Sequence, residues 1–95
     1  MRVKIRDLIP LHSPTVSGTR PMLARLSDAE LIHACEHPKN ADPIRISTRS
    51  GKVVDGNGRA YELLRRAAEP RSSISFDTEI ECEPYTPDNS MFRDL

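Results

Sequence analysis

The chain has 95 residues, with 14 basic and 14 acidic side chains that cancel to a formal net charge of +0, 37% hydrophobic residues, 4% aromatics and no Trp. That length supports one small domain with a modest, mostly aliphatic core. Balanced charge excludes a chain that holds nucleic acid or membrane through its overall field, so a polyanion would have to meet a local patch. No stretch is long and apolar enough to span a bilayer, and the opening MRVKIRDLIP lacks the apolar core of a signal peptide, so the expectation is a soluble chain.

Arg2 to Leu8 alternates Val3 and Ile5 with Lys4 and Arg6, the period of a strand with one buried face, and Pro10 closes it. Leu11 to Met22 carries two prolines, two serines, two threonines and Gly18, so it reads as an irregular loop. Within it, Ser17-Gly18-Thr19-Arg20 offers small donors and a cation to a ligand, with a solvated loop arginine as the plainer reading. A helix starts at Ser27: Ser27 is an N-cap, Glu30 its capping-box partner, and Leu26 a staple to Leu31.

On that helix Leu31, Ile32 and Cys35 share one face, and Glu30, His33 and His37 fall on the other, before Pro38 stops it. His33 and His37 have the spacing of two helical metal ligands, with Glu30 near enough for a third. Histidines near a helix C-terminus also suit its dipole, and the spacing alone favours a solvated face. Cys35 and Cys82 belong to no Cys-x-x-Cys or Cys/His set, so buried reduced thiols are expected.

Ile44 to Thr48 alternates as a second strand, and Arg49-Ser50-Gly51-Lys52 turns it into Val53-Val54, giving a hairpin. The stretch Lys52 to Arg66, KVVDGNGRAYELLRR, then passes from strand through the turn Asp55-Gly56-Asn57-Gly58 into a helix opened by Arg59. Ala60, Leu63, Leu64 and Ala67 form its packed stripe. Arg59, Glu62, Arg65, Arg66 and Glu69 are placed on its outer face and margins, with Glu62 and Arg66 spaced for an ion pair. Such a junction presents backbone N–H groups and the positive end of a helix dipole, with an arginine alongside, and so suits an anion. An arginine at a helix N-terminus is itself disfavoured by the dipole, a mismatch that a bound phosphate would relieve.

Ile74 to Cys82 alternates over the longest run in the chain and is expected to be one strand with an acidic outer side. Residues 84–95 show no period and read as a C-terminal tail, ordered only if Met91, Phe92 and Leu95 dock on the body formed by residues 1–83. The expected fold is therefore α+β, a small mixed sheet of about four strands with two main helices.

This order of elements resembles the ParB/sulfiredoxin-like superfamily over roughly Val3 to Glu83. The resemblance rests on Asp42-Pro43-Ile44-Arg45-Ile46, similar to the family's Pro-Ile-x-Val strand, and on Val54-Asp55-Gly56-Asn57-Gly58-Arg59, similar to the Asp-Gly-Asn-His-Arg turn of ParB-like nuclease domains. It implies that the turn cradles the phosphates of a nucleotide or nucleic acid: Gly56 permits close approach, Asn57 occupies the variable functional position, and Arg59 binds phosphate beside the turn amides up to Gly58, which stands where many ParB-like domains have a histidine or a second arginine. From the long loop, Arg20 is the residue placed to add a second cation. Where sulfiredoxins carry a reactive cysteine this chain has Asn57, which excludes sulfinic acid reduction.

The activity the resemblance implies is a nuclease, the toxic tip of a secreted or contact-delivered bacterial effector acting in the cytoplasm, with an immunity protein as partner. Arg59 and the turn amides would clamp phosphate, Asp55 would be base or metal ligand (Mg2+), and Glu62 a second carboxylate. The leaving-group acid is unassigned, with His12 one candidate. The alternatives are an ATP- or CTP-binding kinase or nucleotide switch, and a non-catalytic interaction module.

Overall fold

The computed structural model describes residues 1–11, 21–38 and 42–87. In chain order these form β1 (Arg2–Lys4), a 3-10 turn (Ile5–Asp7), α1 (Pro21–Ala24), α2 (Asp28–Glu36), β2 (Arg45–Ser47), β3 (Val53–Asp55), α3 (Asn57–Ala67), β4 (Glu79–Glu81) and β5 (Glu83–Tyr85). The architecture is α+β, with the described strands divided between a two-stranded sheet, β1-β4, and a mixed three-stranded sheet, β3-β2-β5.

The expected hairpin is present. Arg45 pairs with Asp55 and Ile46 with Val53, with a bulge between Arg45 and Ile46, and Gly51 takes φ 72 in the turn. Two departures concern strand length. The first strand stops at Lys4 because Leu8 N–H closes a 3-10 turn on Ile5. The long run before Cys82 is a strand only over Glu79–Glu81. Upstream, side-chain oxygens capture the backbone: Thr78 Oγ1 accepts from Ser75 N–H at 2.9 Å, and Ser75 Oγ accepts from Asp77 N–H at 3.3 Å. Hydroxyls that offer the backbone a local partner favour turns over a ladder, and Phe76, on the apolar side of the alternation from Ile74 to Cys82, is 40% exposed.

One sheet becomes two at Cys82. Its N–H bonds Met1 O in the first sheet, while the next N–H, of Glu83, bonds Ile44 O in the second. Glu83–Tyr85, which shows no period, thereby docks as a strand parallel to β2. Glu83 and Tyr85 turn their backbone groups toward Ile44 and Thr48, so Pro84 faces outward with no N–H to offer, which blunts this edge. At the other sheet Glu36 accepts from Glu81 N–H at 2.8 Å and from Arg2 at 2.8 Å, covering the edge of β4.

The core is aliphatic as expected, with Ile5, Leu31, Ile44, Leu63, Ile80, Val53 and Cys35 fully buried. Each such aliphatic side chain contributes about 1.5–3 kcal/mol. Both cysteines are free, and burial pushes each thiol up to about 11. The capping box at Ser27 forms in full, Glu30 N–H to Ser27 Oγ at 3.1 Å and Ser27 N–H to Glu30 Oε1 at 2.9 Å. Among the described residues, no helix is long and apolar enough to cross a membrane.

Asp28, the first residue of α2, ties the helices together. It accepts from Ser73 N–H at 2.8 Å, Ser72 Oγ at 2.9 Å and Arg66 Nη1 at 3.0 Å. These donors, the Ser73 amide foremost, hold its carboxyl well below the usual carboxylate range. A carboxyl depressed in the folded state adds stability that is fully present above its unfolded value, near 3.8, and is lost as pH falls toward the folded value. Asp28→Asn is therefore expected to lower stability at neutral pH and to flatten the decline below about pH 4, read by urea denaturation at each pH. An unchanged acid slope would show that Asp28 is not an acid-sensitive tie.

Candidate functional site: the N-terminus of α3

Strand β3 delivers the chain to Gly56, the N-cap of α3, at φ 87 and ψ 28. Only glycine holds this backbone without strain. A Cβ here would lie 2.8 Å from Arg59 Nη2 and 2.9 Å from Ile44 Cγ1, whereas at Gly51 it would meet nothing within 4 Å. Gly56→Ala is therefore expected to cost about 2–3 kcal/mol, strain plus overpacking, and Gly51→Ala about 1 kcal/mol. Equal costs in urea denaturation would show that the fit over Arg59 does not matter.

Asn57, read as lining a ligand site, is 7% exposed and its side chain serves the scaffold. Its amide donates to Val53 O at 3.1 Å, and its carbonyl accepts Leu11 N–H at 2.7 Å. With Val53 N–H on Ile9 O at 2.8 Å, this fastens the segment after β1 alongside β3. Gly58 lines a cleft of about 260 Å3 with Pro21, Leu23 and Ala24 of α1 and Tyr61, Glu62 and Arg65 of α3.

Three side chains read as the outer face of α3 are instead buried: Arg59 and Glu62 at 9% exposure and Arg66 at 7%. Helix α3 is covered on that side by the chain from α1 to the start of α2, so the polar stripe becomes an internal network. Arg66 donates through Nη2 to Leu26 O at 2.6 Å and Leu23 O at 2.9 Å. Its Nη1 reaches Asp28 at 3.0 Å and its Nε reaches Glu62 at 3.3 Å. Glu62 also takes a fork from Arg65 at 2.6 and 2.9 Å. The expected Glu62–Arg66 pair forms, and the arginine bonds, Arg65 first, hold Glu62 below the usual range against burial.

Arg59 differs. Its Nη2 donates to Asp42 O at 2.6 Å, while its Nη1 is buried with no hydrogen-bond partner, and Arg59 makes no ion pair among the described residues. Two buried arginines thus stand two turns apart on one helix, Arg66 neutralised and Arg59 without a counter-ion among the described residues. The guanidinium of Arg59 lies against Gly56, at the N-cap.

Asp55 is half-buried at the end of β3, opposite Arg45, and lines a groove of about 250 Å3 with Arg45, Val54 and Tyr85. Its carboxylate has no hydrogen bond or ion pair among the described residues. Arg45 is drawn instead toward Glu83 at 3.5 Å and Asp42 at 3.6 Å. Asp55 and Glu62 therefore line different clefts. Arg20, with His12 and Ser17 to Thr19 of the same loop, lies outside the described residues.

Sequence reading named Arg66 only as the partner of Glu62, and it passed over Tyr85. For Arg66 the i, i+7 spacing from Arg59 was visible; for Tyr85 nothing local showed that β5 would join β2. Among the described residues no three metal-ligating side chains converge. Compared with models of protein families, with curated proteins and with solved structures, this chain matches none.

Proposed function

We propose that the chain is a ParB-like domain that holds a phosphate group of a nucleotide or nucleic acid at the N-terminus of α3. The observation that carries the reading is the unbalanced guanidinium of Arg59. A buried charge that finds no counter-ion among the described residues is costly, and an anion with hydrogen-bond acceptors removes the cost. The surroundings suit such an anion. The first amides of the helix precede Ala60, whose N–H is the first to close on Gly56 O at 2.9 Å, and the dipole favours negative charge there.

Phosphodiester cleavage, the activity of a toxin tip neutralised by an immunity protein, is the second reading, and Asp55 favours it. A carboxylate with no partner among the described residues, on the residue before the N-cap, is placed to act as a base. It would also serve as the one protein ligand that Mg2+ takes alongside substrate phosphate and water. Glu62, already shared by two arginines, is withdrawn from that role. A kinase or nucleotide switch would need the same phosphate site, with ATP or CTP as ligand and a different chemistry.

Binding is tested by thermal melts with ATP, CTP and short DNA and RNA. A ligand at about 100 times its dissociation constant adds roughly 2.7 kcal/mol, a rise of about 10–20 °C for a domain of this size. No shift at millimolar concentration with any of them would end the phosphate reading. Cleavage is tested on labelled DNA and RNA with Mg2+. Asp55→Asn is expected to reduce it by a factor of about 10²–10⁴ with stability changed by under about 0.5 kcal/mol. Full activity in that variant would remove Asp55 from the chemistry.

A further inference from the structure

We propose that His33 and His37 form a two-histidine chelate for a borderline divalent transition ion, of the class of Zn2+, Ni2+ and Cu2+, at the C-terminal end of α2, with His33 in the last turn and His37 the C-cap. Both side chains are exposed. The turn between them is closed by His37 N–H on His33 O at 2.8 Å, so the two positions are fixed one turn apart. Their ring centroids stand 4.9 Å apart with planes tilted by 38°. Metal–nitrogen bonds of about 2.0–2.1 Å place the centroids of two bound imidazoles ~4.5 Å apart at a 90° angle and ~5.2 Å apart at a tetrahedral one. The observed separation falls between these two values.

The surroundings define what kind of site this is. Glu30, the nearest candidate for a third ligand by sequence, is held by the Ser27 amide. Glu36 is held by Arg2 and the Glu81 amide. Neither imidazole has a hydrogen bond to a described side chain, so both rings are available. Two nitrogens with the remaining positions open to water select a borderline ion over Mg2+ or Ca2+, which take oxygen ligands. The site is independent of the phosphate reading and lies on a different helix.

The test is calorimetric titration of the EDTA-treated, desalted chain with Cu2+, Ni2+, Zn2+ and Mg2+, followed in parallel by the histidine ring signals in NMR. Cu2+ should bind most tightly and Mg2+ not at all. Losing one arm of a chelate forfeits the local concentration of the second, so His33→Ala and His37→Ala should each weaken binding roughly 10²-fold. His12→Ala should leave it unchanged. Absence of Cu2+, Ni2+ and Zn2+ binding would overturn the proposal. So would unaltered affinity in either helix variant, loss of binding in His12→Ala, or Mg2+ bound as tightly as Zn2+.

Discussion

Arg66→Met is expected to lower the stability of the chain by about 3–5 kcal/mol, the usual result of removing one partner from a buried charged network. Methionine keeps much of the volume but none of the donors. Asp28 and Glu62 would lose a shared cation, and the carbonyls of Leu23 and Leu26 would lose their bonds to Nη2. Small domains have about 5–15 kcal/mol in all, so this substitution threatens the fold. Arg66→Lys should recover only part of the loss, because one ammonium cannot reach partners that the planar fork reaches from three nitrogens. Urea denaturation gives both values, and a cost under 1 kcal/mol for Arg66→Met would refute the network as a structural tie.

Arg59→Met should behave in the opposite way: stability within about 1 kcal/mol of the parent, or higher, with nucleotide or nucleic-acid binding abolished. Replacing a poorly compensated buried charge by an apolar side chain of similar volume is often neutral or stabilising. What is lost in the folded state is one hydrogen bond to Asp42 O, worth about 1.5–3 kcal/mol for a charged donor. What is gained is relief from an unpaired, buried Nη1. The two methionine variants form one experiment on one helix. If Arg59→Met destabilised as much as Arg66→Met, Arg59 would be a second structural tie. If it left ligand binding intact, the proposal that Arg59 holds phosphate would fall.

Local features came directly from residue order. The Ser27-Glu30 capping box, the Glu62–Arg66 pair and the Gly56 turn each depend on partners within four residues, and each is present in the fold. The hairpin from Ile44 to Val54 was legible for the same reason: alternation and a glycine turn set it almost unaided. The strand expected across Ile74 to Thr78 failed because Ser75 and Thr78 compete for the same backbone, and alternation of apolar residues does not register that competition.

The candidate site divides along the same line. That a glycine turn would open a helix beside an arginine is a statement about neighbours in the chain, and the sequence alone determined it. Which arginine would be spent on structure is a statement about distant partners. Arg59 and Arg66 look alike on a helical projection, and nothing local separates them. Asp28, 38 residues before Arg66, and Glu62 neutralise one, with the carbonyls of Leu23 and Leu26 as further acceptors, while among the described residues the other has a single carbonyl, at Asp42. Burial decides the matter, because an exposed charge is satisfied by water whichever way it points, and a buried one needs a partner that only the tertiary fold can bring.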